Sequence, residues 1–370
     1  MDRLELPVLA QRKALPNLDL LRSLAVLLVL ADHLPATIGV AKGRRDLLYS
    51  LGDWGVLLFF VHTSLVLMMS LDRLSVDGAR RFTTFYVRRL FRIYPLAVVT
   101  VAVVFAIHIS PLSWGNVPVV PPTAGNILSN LFLVQNLTKA PSVTGPLWSL
   151  PYEVQMYVLL PFLYLIARRK DWTWILGSIW VGSVALGMLS AHNHLSFLRI
   201  FGLAAYAPCF LAGVIAYHLS RKSRGAIVGF WAWPLTLGIL TLAYWLSENF
   251  YWKRYNGWAC CLPIGLLVCY CAESTHLWLN RATHYIAKYS YGLYLGQIPV
   301  LWLAFVKLEN LPIALRWLVF LGGITAVSVG SYHLIEKPFI DIGTRLTRTK
   351  VKAGTSFPQA AEPEEVMASR

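Results

Sequence analysis

Acidic side chains are scarce in this chain. It has 18 Asp and Glu against 33 Lys and Arg over 370 residues, and charged residues together make up only 14%. A soluble domain carries about 25% charged residues, so a chain that is 56% hydrophobic with a mean hydropathy of +0.56 is not one. The five cysteines, Cys209, Cys260, Cys261, Cys269 and Cys271, contain no Cys-x-x-Cys pair and no ligand spacing. Nothing in that spacing suggests a cysteine metal centre, no metal is expected, and the thiols read as small apolar residues. There is no repeat of fixed period and no second stretch of soluble composition, which excludes a solenoid or an appended globular domain.

What is there is a series of apolar runs, each long enough for a hydrocarbon core of about 30 Å. They fall near 18–36, 47–71, 95–111, 147–167, 172–190, 198–219, 228–247, 257–273, 284–306 and 312–335. The expected fold is an all-α, polytopic transmembrane bundle of about ten helices. An even count places both termini on one side. That side then holds the N-terminus, the 72–93 loop, Arg168, Arg169, Lys170, Arg221, Lys222, Arg224, the 274–283 loop and the C-terminal tail. The opposite side keeps Lys42, Arg44, Arg45, Lys139, Lys253 and Arg254. The positive-inside rule makes the richer side cytoplasmic. Three units are expected: a basic cytoplasmic arm over 1–17, a membrane domain over 18–340 and a disordered cytoplasmic tail over 341–370. The first run carries Arg22 and Asp32 and leads into Leu-Pro rather than a small-residue cleavage site, so it is expected to stay as a span.

A net charge of +15 can suggest nucleic acid, but spread over short loops it is explained by membrane orientation, and no nucleic-acid partner is expected. The exception is Arg80, Arg81, Arg88, Arg89 and Arg92, denser than orientation needs. Arg89 and Arg92 are three apart and can converge on one anion, as guanidinium forks do on phosphate. A positive-inside anchor is the other reading.

The most informative pair is Arg22 and His33. Ionisable side chains at membrane depth are costly and mark sites more often than architecture. Eleven residues at about 100° each return a helix to within about 20° of its starting face, so the two point the same way, roughly 16 Å apart along the axis. His33 is the candidate general base, with a helix-packing histidine as the alternative. Asp32 lies about 100° off that face. Downstream, Glu153 falls one turn into the span beginning near Trp148, with Tyr157 four residues on and Ser149 placed to cap the helix. Glu153 is a partner for Arg22 or His33, or an acid favoured by the helix N-terminus. Between spans, 111–146 carries repeated turn signals around an amphipathic piece at 124–135, which suits either a lid or a connector.

These pieces together resemble the acyltransferase 3 family of integral membrane O-acyltransferases, the O-antigen and polysaccharide acetylase-like proteins. Arg22 and His33 match the basic-x10-His signature of that family, Arg89-Leu-Phe-Arg92 its Arg-x-x-Arg element, and Trp148-Ser-Leu with Glu153 its Trp-Ser-Leu-x-x-Glu segment. Tyr289-Ser-Tyr-Gly-Leu-Tyr-Leu295 and Ile335-Glu-Lys-Pro-Phe339 look like its last two stretches. Two positions depart: Phe59-Phe-Val-His-Thr-Ser-Leu65 replaces a Phe-Phe-x-x-Ser-Gly-Phe segment, and Gln297 stands where many members have a histidine. With Gln297, His62 either lines the acceptor pocket or is a packing histidine.

The resemblance implies transfer of an acyl group, acetyl above all, from acyl-coenzyme A to a hydroxyl of a carbohydrate, glycolipid or other envelope acceptor at a bacterial cytoplasmic membrane. Under it His33, Glu153 and Arg22 are the catalytic set, Arg88, Arg89 and Arg92 hold the donor phosphates, and Trp148, Ser149 and Tyr157 contact substrate. Acyl-coenzyme A is a co-substrate, with no permanently bound cofactor. A transporter of a lipid-linked or anionic substrate would also keep charges in its bundle, but such folds show repeated halves and paired broken helices, which this sequence lacks.

Overall fold

The computed structural model describes residues 15–37, 42–74, 76, 78–107, 123–192, 202–222, 226–246 and 250–348. In chain order the helices are α1 (Pro16–Thr37), α2 (Lys42–Asp72), α3 (Gly78–Ala106), α4 (Ala124–Leu131), α5 (Gln135–Thr138), α6 (Leu150–Ala167) and α7 (Trp172–His192). There follow α8 (Ala207–Lys222), α9 (Ala232–Trp245), α10 (Phe250–Tyr270), α11 (Leu277–Leu301), α12 (Ile313–Ser331) and α13 (Lys337–Leu346). Among the described residues the only extended pairing is the isolated bridge between Val228 and Cys271. The molecule is an all-α membrane bundle, with a helix at each of the ten apolar runs.

Five helical stretches among the described residues are long and apolar enough to cross a bilayer unaided: Leu51–Asp72, Gly78–Ala106, Gly145–Ala167, Trp172–Leu189 and Ile313–Leu346. α1 is not among them because Asp19, Arg22 and Asp32 place three charges along its length, beside an apolar face that is buried. Leu21, Ala25, Val26 and Val29 are all within the core. Lipid-facing helices show the reverse pattern. Val158, Phe162 and Leu165 of α6 and Leu315, Leu318 and Leu321 of α12 are exposed, as apolar side chains facing hydrocarbon need no protein partner.

α2 is the hub. Trp54, Leu58, Val61, Leu65 and Met68 are fully buried along it, and small residues let its neighbours approach. A Cβ at Gly55 would press on the Ala25 carbonyl of α1, and one at Gly213 of α8 would collide with the Val61 carbonyl and the Ser64 hydroxyl. α1 runs alongside α11 in parallel register: Asp19 meets His284 at 3.0 Å, Ser23 Oγ donates to the Thr283 carbonyl at 2.8 Å and Arg22 Nε donates to Ser290 Oγ at 2.5 Å. This pairing fixes which way the Arg22 face looks.

Several expectations change. The third helix begins at Gly78, not near 95, so the arginine cluster is helical rather than a loop. Pro95 sits inside that helix, where proline loses one backbone bond but packed neighbours in a membrane bundle tolerate it. α11 similarly starts at Leu277 inside the expected 274–283 loop, and α13 carries helix six residues past 340. The amphipathic piece at 124–135 does form α4, but inverted: Ser129 and Asn130 are buried while Leu128 and Phe132 are exposed. Asn130 pins the segment by donating to the Asn126 and Pro141 carbonyls and accepting from the Val143 amide. The side chains of Lys42, Arg44 and Arg45, residues 1–14 and residues 349–370 lie outside the described set.

The close α2–α8 approach gives a direct test. Gly213→Leu is expected to destabilise the purified protein by about 1–3 kcal/mol through overpacking, read as a lower melting temperature in detergent. Gly238→Ala in α9, where a Cβ meets nothing within 4 Å, should hold or slightly raise it.

Candidate active site

One cavity, about 740 Å³ counted out to its mouth, opens where α1, α2, α3, α6 and α11 meet. Each helix delivers its polar residues there by spacing. Ser290, Tyr291 and Tyr294 are one stripe of α11, Arg89 and Arg92 are three apart on α3, and Glu153 and Tyr157 are four apart on α6. α2 contributes an apolar wall at Val56, Phe59, Thr63 and Val66, with His62 at its edge. The mixture of apolar lining with a few convergent polar groups is the usual form of a small-molecule site.

The charges there interlock. Arg22 lies within electrostatic reach of Arg92, Glu153, Glu336 and Tyr157, and Arg89 within reach of Arg92, Glu153 and Tyr157. Tyr157 donates its hydroxyl proton to Glu153 Oε1. Arg92 Nη2 stands 3.8 Å from Glu336 Oε2, whose side chain is fully buried. Among the described residues the cavity lining carries three guanidiniums and one carboxylate, Glu153, with Glu336 behind Arg92, so positive side chains predominate. In a low-dielectric bundle such an excess attracts an anion far more strongly than it would at a surface.

The expected site residues divide. Arg22, Arg89, Arg92, Ser149, Glu153 and Tyr157 all line the cavity. His33 is not in the lining: it is buried further along α1, with the Gln297 side chain and the Val29 backbone as hydrogen-bond partners and Asp32 Oδ2 at 4.0 Å from its Nε2. Glu153 therefore shares the cavity with Arg22 but not with His33. Arg88 also turns away, donating through Nε to Thr347 Oγ1 at 2.9 Å. From Arg92 it lies about 40° to one side, and Arg89 about 60° to the other. Trp148 is not in the lining; it packs on Tyr152 and Tyr206. Ser149 does not cap α6. It ends a short 3₁₀ turn, Gly145–Ser149, and its hydroxyl lies 2.7 Å from Tyr294 Oη.

Ser290 and Glu336 fall inside the two C-terminal stretches that carry the family resemblance, but no role was assigned to either there. Ser290 anchors Arg22, a partnership set by the α1–α11 register. Glu336 comes from a π-helical turn, Tyr332–Glu336, between α12 and α13. Such turns insert an extra residue and re-aim side chains, often at functional sites, and no periodicity argument anticipates one.

Comparison with known proteins places this geometry in context. The acyltransferase 3 family model, described as an acyltransferase domain, matches residues 15–335. YrhL of Bacillus subtilis, provisionally named a peptidoglycan O-acetyltransferase, is 25% identical over 90% of this chain and 56% of its own length. The peptidoglycan O-acetyltransferase OatA of Listeria monocytogenes is 29% identical over 49% of this chain and 28% of its own. The acyltransferase MdmB of Streptomyces mycarofaciens is 32% identical over 42% of this chain and 40% of its own. The chain thus spans about half the length of YrhL, and less of the other two. No solved structure matches it.

The Arg92–Glu336 pair can be tested without any substrate. Arg92→Met leaves a buried carboxylate unpaired and is expected to destabilise by about 3 kcal/mol, the lower end for a broken buried pair because Arg92 is partly exposed. Glu336→Leu with Arg92→Met should recover much of this. A double-mutant cycle on thermal unfolding should give a coupling above about 1 kcal/mol; additivity would mean that the two side chains do not interact.

Proposed function

The chain belongs to the acyltransferase 3 family, and from that premise we propose that it moves an acetyl group from acetyl-coenzyme A to a hydroxyl of a cell-envelope carbohydrate. The observation that carries this reading is the cavity's unbalanced guanidinium set. Coenzyme A brings phosphates, for which paired arginines are the natural receptor, and Arg89 and Arg92 present two guanidiniums from one face of α3. The two relatives named for peptidoglycan O-acetylation favour a carbohydrate acceptor. Their bacterial source favours the cytoplasmic membrane, with both termini and the arginine-rich helix start on the cytoplasmic side.

The offset of His33 from the cavity fits this donor. The phosphates and thioester of coenzyme A are separated by the pantetheine arm, so a phosphate site and a general base need to stand apart. His33 is roughly 16 Å along α1 from Arg22. In the proposed step, His33 accepts the proton of the acceptor hydroxyl as its oxygen attacks the thioester carbonyl. The tetrahedral intermediate then collapses with cleavage of the C–S bond, and the departing thiolate takes the proton from the imidazolium. Gln297 orients the ring, which fixes which nitrogen carries the lone pair. Arg22 and Glu153 act on the donor side, Arg22 offsetting its negative charge and Glu153 holding Tyr157 and the guanidiniums in place. Transfer in two stages through an acyl-imidazole is the variant that serves an acceptor held on the far side of the membrane.

Reconstituted protein supplied with radiolabelled acetyl-coenzyme A and a polysaccharide acceptor should release free coenzyme A and yield labelled ester. His33→Gln should lower kcat by 10²–10⁴, the usual worth of a general base. Arg89→Met and Arg92→Met should instead raise KM for acetyl-coenzyme A. If wild type and His33→Gln consume the donor equally, His33 is not the base. If neither consumes it, acetyl-coenzyme A is not the donor.

A further inference from the structure

Of the two readings of His62, packing and pocket lining, the structure supports the second. His62 sits on α2 in the wall of the cavity that holds Arg22, Arg89 and Glu153, and it is only 4% exposed. Its Nδ1 is buried and has no hydrogen-bond partner, and the same is true of Arg89 Nε in the same cavity. Of the other charged groups, Arg22 donates to Ser290 and Glu153 accepts from Tyr157, while Arg92 stands 3.8 Å from Glu336, which lies outside the cavity lining and whose carboxylate oxygens are likewise buried without a hydrogen bond. A buried polar atom left unmet is costly, so two of them around one cavity, on different helices, mark the positions a ligand would complete. Arg89 asks for an anion. A neutral imidazole offers one N–H and one lone pair and so matches a group, such as an amide, that presents both an acceptor and a donor.

We propose that His62 is a donor-contacting residue of this chain, hydrogen-bonding an amide of the pantetheine arm while Arg89 takes a phosphate. This rests on the reading of acyl-coenzyme A as the donor. It assigns to α2 a polar contact at a position the family pattern leaves open, so that His62 sets affinity for the arm rather than the chemistry of transfer.

The test uses full-length protein in nanodiscs and two probes, coenzyme A and adenosine 3′,5′-bisphosphate, which keeps phosphates but lacks the arm. His62→Ala and the volume-filling His62→Phe should weaken coenzyme A binding about 5- to 10-fold, the worth of one hydrogen bond, and leave the bisphosphate unchanged. His62→Asn, which restores a donor and an acceptor, should regain part of the loss, and Arg89→Met should weaken both probes. Equal coenzyme A binding by wild type and His62→Phe overturns the proposal, and so does an equal loss for both probes, which would mean a distorted cavity. If wild type binds neither probe, it is the donor reading that fails, and this inference with it.

Discussion

Placing a guanidinium inside a membrane bundle is unfavourable unless other charges answer it, and this molecule gathers three, each partly buried, around one cavity. Arg22, Arg89 and Arg92 reach it from α1 and α3, and the answering carboxylates come from α6 and from the turn between α12 and α13. Elements far apart in sequence are thereby tied to one electrostatic centre. Around the cavity itself the guanidiniums outnumber the lining carboxylate, Glu153, and this is the feature on which the proposed donor site rests.

That arrangement works only because the surrounding helices are packed closely enough to keep water and lipid out. α2 does most of this. Its fully buried side chains fill the centre, and Gly55 and the facing Gly213 remove the side-chain bulk that would otherwise separate it from α1 and α8. In hydrocarbon there is no hydrophobic drive for helices to associate, so close van der Waals contact and interhelical polar bonds have to supply it. The bond from Trp54 Nε1 to Thr241 Oγ1 at 2.8 Å and that from Tyr291 Oη to the Ile93 carbonyl at 2.8 Å are examples. Both join helices that the charge cluster does not join directly.

Composition and apolar run length were enough to predict the fold class and the positions of the long helices, because a bilayer imposes a length and a polarity that few other environments share. The site was partly legible for a related reason: at membrane depth a charge is conspicuous, so Arg22, Glu153, Arg89 and Arg92 stood out before their geometry was known. What spacing could not supply was partnership across helices. Spacing paired Arg89 with Arg92 but did not remove Arg88 from the donor site; the lie of α13 along α3, with Phe91 stacked on Phe339 at 6.3 Å and Arg88 bonded to Thr347, does. Glu336 is delivered by a local break in helical period, which a periodic reading smooths over. Spacing alone did not decide between packing and pocket lining for His62; its place in the cavity wall did.

The parallel run of α1 beside α11 is the step that links binding to chemistry. Arg22 meets Ser290 at the cavity, and His33 meets Gln297 beyond it, so the same pair of helices carries both stations. Eleven residues separate the two positions on α1 and seven on α11, about 16 Å against about 10 Å along the respective axes, a difference that the length of the Arg22 side chain can span. Tyr294 lies on this path: its ring faces Phe59 and its hydroxyl approaches Ser149 in the cavity, while its carbonyl accepts from Gln297 Nε2 at 2.9 Å. A change at the cavity wall is therefore one residue away from the side chain that orients His33. Two stations on one rigid helix pair hold a fixed separation. That suits a ligand with a charged head and a distant reactive group, and selects against one whose charge and reactive atom lie side by side.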